Sequence, residues 1–216
     1  AASGLPAPII HYDFEEIERN QVPDRAGVEV DGAPQSSPAT LRTLTEGTKW
    51  DTEQCLVPGV KGRALQFGGK DSKQFIEVVL APAVNITEDD FTIAFWYQFA
   101  RPAGVFLQST TTKPYWDLSV VEAKGAFALK LAFGGDPAMV TATSKDSAPA
   151  PLGDGRWHQI VLTMDRGRNA RIYVDQIQVA ATNIGAQQGS LKRYLTIGGP
   201  YNYLEGAIDE WTLYPG

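Results

Sequence analysis

The sequence predicts an all-β fold in which two antiparallel sheets pack as a β-sandwich. The 216 residues include 21 Gly and 14 Pro spread along the chain, and this frequency of turn-forming residues rules out long helices. Apolar and polar side chains alternate with a period of two wherever a pattern is recognisable. Closely spaced turn signals separate these alternating segments, as is typical of two packed antiparallel sheets.

The clearest strand is the segment FTIAFWYQFA, which begins at Phe91. Its alternation places five aromatic or apolar side chains on one face and leaves Trp96 and Gln98 on the other. The segments WHQIVLTMD and RIYVD alternate in the same way, and the polar residues 165–169 between them predict a hairpin connection. Further strands are predicted at 9–14, 64–67, 75–79, 104–108, 116–121, 126–133, 194–197 and 207–214.

Two segments lack a sustained apolar period. Residues 30–54 and 143–155 are rich in Ser, Thr, Pro, Ala and Gly, so they are predicted as long loops or irregular edges. Helix is limited to a single turn near 15–20, because the Pro-containing segment that follows would end it.

Composition and charge bound the domain organisation and the partners. We expect one domain over 1–216, with 1–8 as a linker or a processed N-terminus. The formal net charge is −6 and no basic stripe is present, which argues against nucleic acid and anionic membrane surfaces. No run of about 18 apolar residues occurs, so membrane insertion is not expected. Cys55 is the only cysteine, which excludes an intrachain disulfide and multi-Cys zinc sites.

A series of segments in a fixed order carries a resemblance to a known family. The segments are HYDFEE at 11–16, VPDRAG at 22–27, PGVKGRALQFGG at 58–69, FIEVV at 75–79, NITEDDFTIAFWYQF at 85–99, GDGRWHQIVLTMD at 153–165, RIYVDQIQV at 171–179, LTIGG at 195–199 and GAIDEWTLY at 206–214. The chain resembles LamG-like domains, related to laminin G and the pentraxins, of the concanavalin A-like lectin/glucanase superfamily. The resemblance implies a jelly-roll sandwich whose first and last strands lie together in one sheet.

Two features depart from the family pattern. The hairpin turn usually has Gly after Val-Asp, but here Gln176 follows, and a positive φ at this residue would be strained. The segment 30–57 is also longer than usual for the family, which allows a family-specific function of this loop.

The sequence contains no recognisable catalytic constellation. Hydrolases of the superfamily carry carboxylates spaced as Glu-x-Asp-x-x-Glu on one strand, and the segment EGAIDEW, which begins at Glu205, does not match this spacing. His158 shares its strand face with Ile160 and Leu162, which favours a hydrogen-bonded core histidine over a catalytic base. His11 is interpreted as a solvated or edge histidine. We therefore expect that the protein is not an enzyme.

A structural calcium is the cofactor that the resemblance implies. Many relatives hold one calcium, and its oxygen ligands can come from separate loops. The matching positions are Asp13 on the first strand and Asp209 on the last, with Asp24 as a third ligand; Asp117 is a less favoured alternative. In the competing interpretation Asp209 and Asp13 only accept N–H bonds from loops, and Asp24 is an ordinary turn former.

A glycan site is predicted on aromatic side chains, because the C–H faces of sugars stack on Trp and Tyr rings while polar groups hold the hydroxyls. Such sites usually lie on the concave sheet or in the rim loops. The candidate ligand-binding residues are Trp96, Gln98, Tyr115, Trp116, Tyr201 and Tyr203.

Together these patterns predict a non-catalytic carbohydrate-binding, lectin or adhesion module, secreted or on the cell surface, with a polysaccharide or glycan as partner. Other domains of a larger chain are expected as neighbours. One alternative is a protein-interaction or spacer domain of a larger surface protein, without a sugar site. Another is a polysaccharide-active hydrolase or lyase whose catalytic residues are not recognised.

Overall fold

A computed structural model gives the fold and describes residues 6–44, 50–84, 89–99, 104–109, 115–123, 126–134, 140–143, 152–165, 167–184, 194–200 and 202–216. In chain order its strands are β1 (Ile10–Tyr12), β2 (Gln21–Val22), β3 (Val28–Val30), β4 (Ala33–Gln35), β5 (Ala39–Thr43), β6 (Leu56–Pro58), β7 (Arg63–Gly68), β8 (Gln74–Val79), β9 (Phe91–Gln98), β10 (Gly104–Ser109), β11 (Tyr115–Ala123), β12 (Ala126–Gly134), β13 (Val140–Thr143), β14 (Trp157–Asp165), β15 (Asn169–Val174), β16 (Ile177–Asn183), β17 (Tyr194–Ile197) and β18 (Glu205–Pro215). A short helix, α1 (Gly69–Ser72), follows β7, and a single 3₁₀ turn spans Pro82–Val84. No helix among the described residues is long and apolar enough to cross a membrane.

The strands form two large antiparallel sheets. The front sheet has the order β16-β15-β14-β9-β18-β7-β6, with β1 also paired to β18. The back sheet has the order β13-β12-β11-β10-β17-β8-β5-β2, and β3 and β4 form a separate hairpin. This is the predicted all-β sandwich, consistent with the concanavalin A-like jelly roll.

The core lies between the two sheets and follows from the alternation in β9. Phe91, Ile93, Phe95 and Tyr97 are each at most 1% exposed. Tyr97 packs edge-on against Phe106 of β10, with 4.5 Å between ring centroids, and so joins the two sheets. Burying one such side chain contributes about 1.5–3 kcal/mol. This row of β9 therefore fixes which face of the strand remains outside.

The pairing of the first and last strands is confirmed. Ile10 lies opposite Leu213 and Tyr12 lies opposite Trp211. The rings of Tyr12 and Trp211 stack with centroids 5.4 Å apart. Both ends of the described chain are thereby held in the front sheet.

The predicted long loop at 30–54 is wrong in part, because it contains β4 and β5. β5 pairs with β8, and Leu41, which is 2% exposed, lies opposite Ile76. Only Ala39 and Leu41 of its five residues are buried apolar side chains, too few to produce a recognisable period. Within the second predicted loop, residues 144–151 lie outside the described residues.

The turn between β15 and β16 requires positive φ angles at two residues that are not glycine. Asp175 has a φ of 49° and Gln176 a φ of 70°, both in the left-handed region. A two-residue hairpin with right-handed twist requires this geometry, which Gly adopts more readily than Gln. The strain expected at Gln176 is therefore present.

Candidate functional site

The outer face of the front sheet, which points away from the core, contains the candidate site. β9 places Trp96 and Gln98 on this face because they alternate with the buried Phe95 and Tyr97. On the neighbouring β14, Gln159 lies directly opposite Trp96. An indole and two side-chain amides therefore share one sheet surface.

A β-bulge in β18 adds a second polar group to this face. Glu210 has a φ of 49°, and the pairing of β18 with β9 shifts between Asp209 and Thr212. A bulge inserts one extra residue into a strand. Asp209 and Glu210 are thus both kept out of the core, while Ile208 and Trp211 on either side belong to it.

A depression of about 280 Å³ surrounds Trp96, and we call it the Trp96 depression. Its walls combine an aromatic ring with amide, ammonium and carboxylate groups. They include Val60, Lys61, Trp96, Gln159, Glu210 and Tyr214. Such a mixture of one apolar face and several convergent polar groups is typical of small-molecule sites.

Glu210 contacts one histidine and one lysine side chain. Its Oε2 atom lies 3.0 Å from His11 Nε2, and its Oε1 atom lies 3.4 Å from Lys61 Nζ. The contact with Lys61 is ionic only, and within the described part of the chain Oε1 is buried without a hydrogen-bond donor. One acceptor of the Trp96 depression is therefore unsatisfied.

Asp209 anchors residues 58–62, the 58–62 loop, which supplies one wall of the Trp96 depression. The carboxylate is fully buried; Oδ2 accepts the Lys61 N–H at 3.0 Å and Oδ1 accepts the Glu210 N–H at 2.8 Å. Gly59 allows the close approach, since a Cβ at this position would lie 2.5 Å from Oδ2. Burial raises the pKa of Asp209, and the backbone N–H bonds partly oppose this shift.

A second depression of about 270 Å³ lies at the end of β9, and we call it the Gln98 depression. It is lined by Gln66, Gln98, Phe99, Gly155, Glu205 and Gly206. Across the three strands, Gln66 lies opposite Ala207, and Ala207 lies opposite Gln98. A small alanine therefore separates two amides.

Residues 152–156, the 152–156 loop, close one side of the Gln98 depression. Gln98 Nε2 donates to the Gly155 carbonyl at 2.7 Å. The Gly155 N–H donates to the Phe99 carbonyl at 3.0 Å. The position of Gly155 thus depends on the end of β9.

His158 ties the 152–156 loop to the turn after β15. Nε2 lies 3.1 Å from Asp154 Oδ1, and Nδ1 lies 2.7 Å from Asp175 Oδ2. Ionised carboxylates only accept, so both ring nitrogens must carry hydrogen for both bonds to form. Burial opposes this charge, but the hydrogen bonds with Asp175 and Asp154 outweigh it and raise the pKa of His158. The predicted hydrogen-bonded core histidine is confirmed.

Among the predicted ligand-binding residues whose side chains the structure describes, Trp96 and Gln98 are brought together on one sheet face. Trp116 is 0% exposed, with its ring centroid 5.9 Å from that of Phe91, so its predicted place at a groove is wrong. Tyr203 lies against Gly199 in the segment before β18 and lines neither depression. The side chain of Tyr115 and all of Tyr201 lie outside the described residues.

The aspartates predicted as calcium ligands accept hydrogen bonds from the protein itself. Asp24 accepts the backbone N–H of His11 at 3.0 Å and that of Ser37 at 2.9 Å. Asp13 accepts a hydrogen bond from Arg25 Nε at 3.0 Å. These contacts match the competing interpretation, in which the carboxylates hold loops.

These aspartates do not form a common site. Over the residues that the structure describes, no group of three His, Cys, Asp or Glu side chains is arranged to hold a metal ion. Asp117, the less favoured alternative, lies within β11, where burial raises its pKa. The arrangement of Asp13, Asp24 and Asp209 does not fit a calcium site, and calcium binding by this protein stays a prediction.

Sequence reasoning missed four residues of the Trp96 depression: Lys61, Gln159, Glu210 and Tyr214. Gln159 and Tyr214 alternate with buried residues along their strands, so the alternation of the sequence could have placed both on the outer face. Glu210 depends on a bulge, and Lys61 depends on a contact between residues 148 positions apart. Nothing in the local pattern indicates either.

Several solved structures with the same fold are binding domains or are bound to a ligand. Domain 4 of AbnA, a GH43 extracellular arabinanase from Geobacillus stearothermophilus in complex with arabinotriose, has 14% identity and a TM-score of 0.64, over 99% of this chain and 94% of that one. The binding domain of Paraclostridial Mosquitocidal Protein 1 has 14% identity and a TM-score of 0.63, over 96% of this chain and 48% of that one. The binding domain of Botulinum neurotoxin DC, in complex with rat synaptotagmin II, has 14% identity and a TM-score of 0.65, with the same coverage of 96% and 48%.

At these identities the likeness shows the fold alone, and the chain spans about half the length of the two toxin binding domains. A search of curated proteins finds no match. The family model Laminin_G_3 matches residues 72–216, more than half of the chain. The strand pairing, the sandwich architecture and this match agree, and the protein belongs to the concanavalin A-like lectin/glucanases superfamily.

Proposed function

We propose that the protein is a non-catalytic carbohydrate-binding module and that a glycan binds on the outer face of the front sheet, over Trp96. The Trp96 depression carries this proposal, because it places a partly exposed indole beside amide, ammonium and carboxylate groups. A sugar ring presents an apolar C–H face and a rim of hydroxyls. The depression offers a partner for each.

The unsatisfied oxygen of Glu210 supports the same ligand chemistry. A buried carboxylate oxygen without a donor costs free energy, and a hydroxyl that donates to it removes this cost. Lys61 supplies N–H donors next to it, and Gln159 supplies both a donor and an acceptor. Sugar hydroxyls, which both donate and accept, suit this set.

The placement of the carboxylates supports a binding role without catalysis. Glycoside hydrolysis commonly needs two carboxyl groups that flank one bond, about 5–10 Å apart. Glu210 lines the Trp96 depression and Glu205 lines the Gln98 depression. Neither depression has a second carboxylate among its described lining residues. His158 is 6% exposed and engaged by Asp154 and Asp175, which leaves it poorly placed as a base.

The comparisons support a glycan partner at the level of the superfamily. The arabinanase domain is described with arabinotriose, and its enzyme is described as extracellular. We place the present protein in a similar setting, secreted or on the cell surface. The neurotoxin domain in complex with synaptotagmin II supports a second candidate, a protein-binding module.

Affinity electrophoresis tests the proposal. The protein is run through native gels that contain arabinan, xylan, β-glucan, mannan or galactan. We expect at least one polysaccharide to retard it. Trp96→Ala should lose the retardation, because the stacking surface is removed and the affinity falls at least about tenfold.

Tyr194→Ala is the matched control, since Tyr194 is a partly exposed aromatic residue on β17 of the back sheet. It should be retarded as strongly as the unaltered protein. Migration unaffected by every polysaccharide, with the fold intact by circular dichroism, would contradict the proposal and favour the protein-binding candidate. Release of reducing ends would contradict the non-catalytic assignment.

A further inference from the structure

We propose that the glycan is a neutral oligosaccharide that spans the Trp96 and Gln98 depressions, with one sugar over Trp96 and the next among Gln66, Gln98 and Glu205. This inference rests on the proposed function and specifies the length and charge of the ligand. It follows from the position, size and charge of the two depressions.

The two depressions are successive positions along one strand. Trp96 and Gln98 are two residues apart on the same face of β9, a separation of about 7 Å between Cα atoms. This distance is comparable with the length of one sugar unit in a chain. A linear oligosaccharide that follows β9 therefore presents consecutive units to the two depressions.

Size also favours a ligand built from repeated small units. The volumes are about 280 and 270 Å³, each just below the range of about 300–1,000 Å³ that is usual for small-molecule sites. Taken together the two depressions fall within that range. One monosaccharide would fill only one of them.

The Gln98 depression is equipped for hydroxyl groups. Gln66 Nε2 donates to the Phe67 carbonyl at 3.0 Å, and Gln98 Nε2 donates to the Gly155 carbonyl at 2.7 Å. These bonds orient both amides and use one N–H hydrogen of each, which leaves the amide oxygens and the second hydrogens for a ligand. Ala207 lies between them in the sheet, so the two amides flank one short side chain.

The charges of the lining residues favour a neutral glycan. Lys61 lies 3.4 Å from Glu210 and offsets its charge. Glu205 is exposed and has no ion pair in the described part of the chain, while Arg156 of the nearby 152–156 loop lies 3.7 Å from Asp154. A uronic acid unit at the Gln98 depression would meet Glu205, the described lining residues include no Lys or Arg, and the chain as a whole carries −6.

Isothermal titration with sugars of increasing length tests this inference. The probes are the mono-, di- and trisaccharides of arabinose, xylose, glucose, mannose and galactose, together with di- and trigalacturonate. For the neutral series that binds, affinity should rise about tenfold or more from mono- to trisaccharide. The galacturonates should bind more weakly than the neutral trisaccharide.

Gln66→Ala isolates the second depression. The variant should lower the affinity for the trisaccharide about three- to tenfold, the effect of one or two hydrogen bonds, and leave the affinity for the monosaccharide unchanged. The matched control is Gln178→Ala, at an exposed glutamine on β16 of the same sheet, and it should change neither affinity. Circular dichroism and thermal unfolding confirm that both variants fold.

The outcomes separate the two proposals. Equal affinity for mono- and trisaccharide, an unaffected trisaccharide affinity in Gln66→Ala, or tighter binding of galacturonate would overturn the two-depression inference while glycan binding itself stands. Failure of every sugar to bind would overturn the proposed function as well.

Discussion

The two loops that border the candidate site are held by different chemistry. The 58–62 loop is fixed by Asp209, a fully buried carboxylate that accepts two backbone N–H bonds. The 152–156 loop is tied by His158, which needs a proton on each ring nitrogen to bind both Asp154 and Asp175. The first anchor requires an acceptor, whereas the second requires a cation.

This difference teaches that the two loops should respond differently to pH. The 58–62 loop should stay anchored for as long as Asp209 is ionised, because the backbone N–H groups that it accepts do not titrate. The Gln98 depression is bordered by a loop whose tether weakens as His158 loses its proton. Substitutions at three positions probe this comparison.

Asp209→Ala should have the largest effect on stability. It leaves the Lys61 and Glu210 N–H groups without acceptors and should lower the free energy of unfolding by about 2–4 kcal/mol. Asp209→Asn keeps one acceptor and removes a charge that burial disfavours, so about half of that loss is expected. Urea unfolding measures both, with Glu53→Ala at an exposed position as control. Equal stability of Asp209→Ala and the control would show that this anchor is unimportant.

His158→Gln should have an intermediate effect that depends on pH. The pKa of His158 is raised in the folded protein, so its stabilisation is fully present below the unfolded value of about 6.5 and is lost as pH rises through the folded value. At about pH 6 we expect the variant to have a free energy of unfolding lower by about 1–3 kcal/mol, the scale of a charge-assisted hydrogen bond. At about pH 9 the decrease should be smaller. Urea unfolding of both proteins at the two pH values measures this, and a difference that is constant with pH contradicts it.

Gln176→Gly should have the smallest effect and should raise the free energy of unfolding by about 0.5–1 kcal/mol. Gln176 has a φ of 70° in the turn that holds Asp175, and Gly adopts this conformation without a Cβ penalty. Gln178→Gly, at an exposed strand position two residues later, should instead destabilise the protein. Thermal unfolding compares the two variants, and a loss of stability in Gln176→Gly would show that the turn is not strained.

Alternation over long strands made much of the fold predictable. β14 and β17 have the predicted bounds, and the parity of β9 correctly placed Trp96 and Gln98 outside. Trp116 begins the predicted strand 116–121 and lies on the same face as the buried Leu118 and Val120, so the alternation already indicated its burial.

The rest of the site depends on features that a local pattern does not contain. The bulge at Glu210 breaks the alternation of β18 and brings the Glu210 carboxylate to the outer face. The wall formed by Lys61 depends on its distant contact with Asp209. Short strands such as β5 have too few buried residues to produce a period.

Glycan binding over Trp96 is the central claim, and the indole N–H signals of the five tryptophans test it most directly. Arabinotriose, xylotriose, cellotriose, mannotriose and galactotriose are titrated in turn into ¹⁵N-labelled protein, with Trp96→Phe used to assign the signal of Trp96. For at least one sugar we predict a saturating shift of the Trp96 signal, while the signals of Trp116 and Trp211, both 0% exposed, stay in place. Saturating shifts confined to other tryptophans, or none with any sugar, would contradict the account.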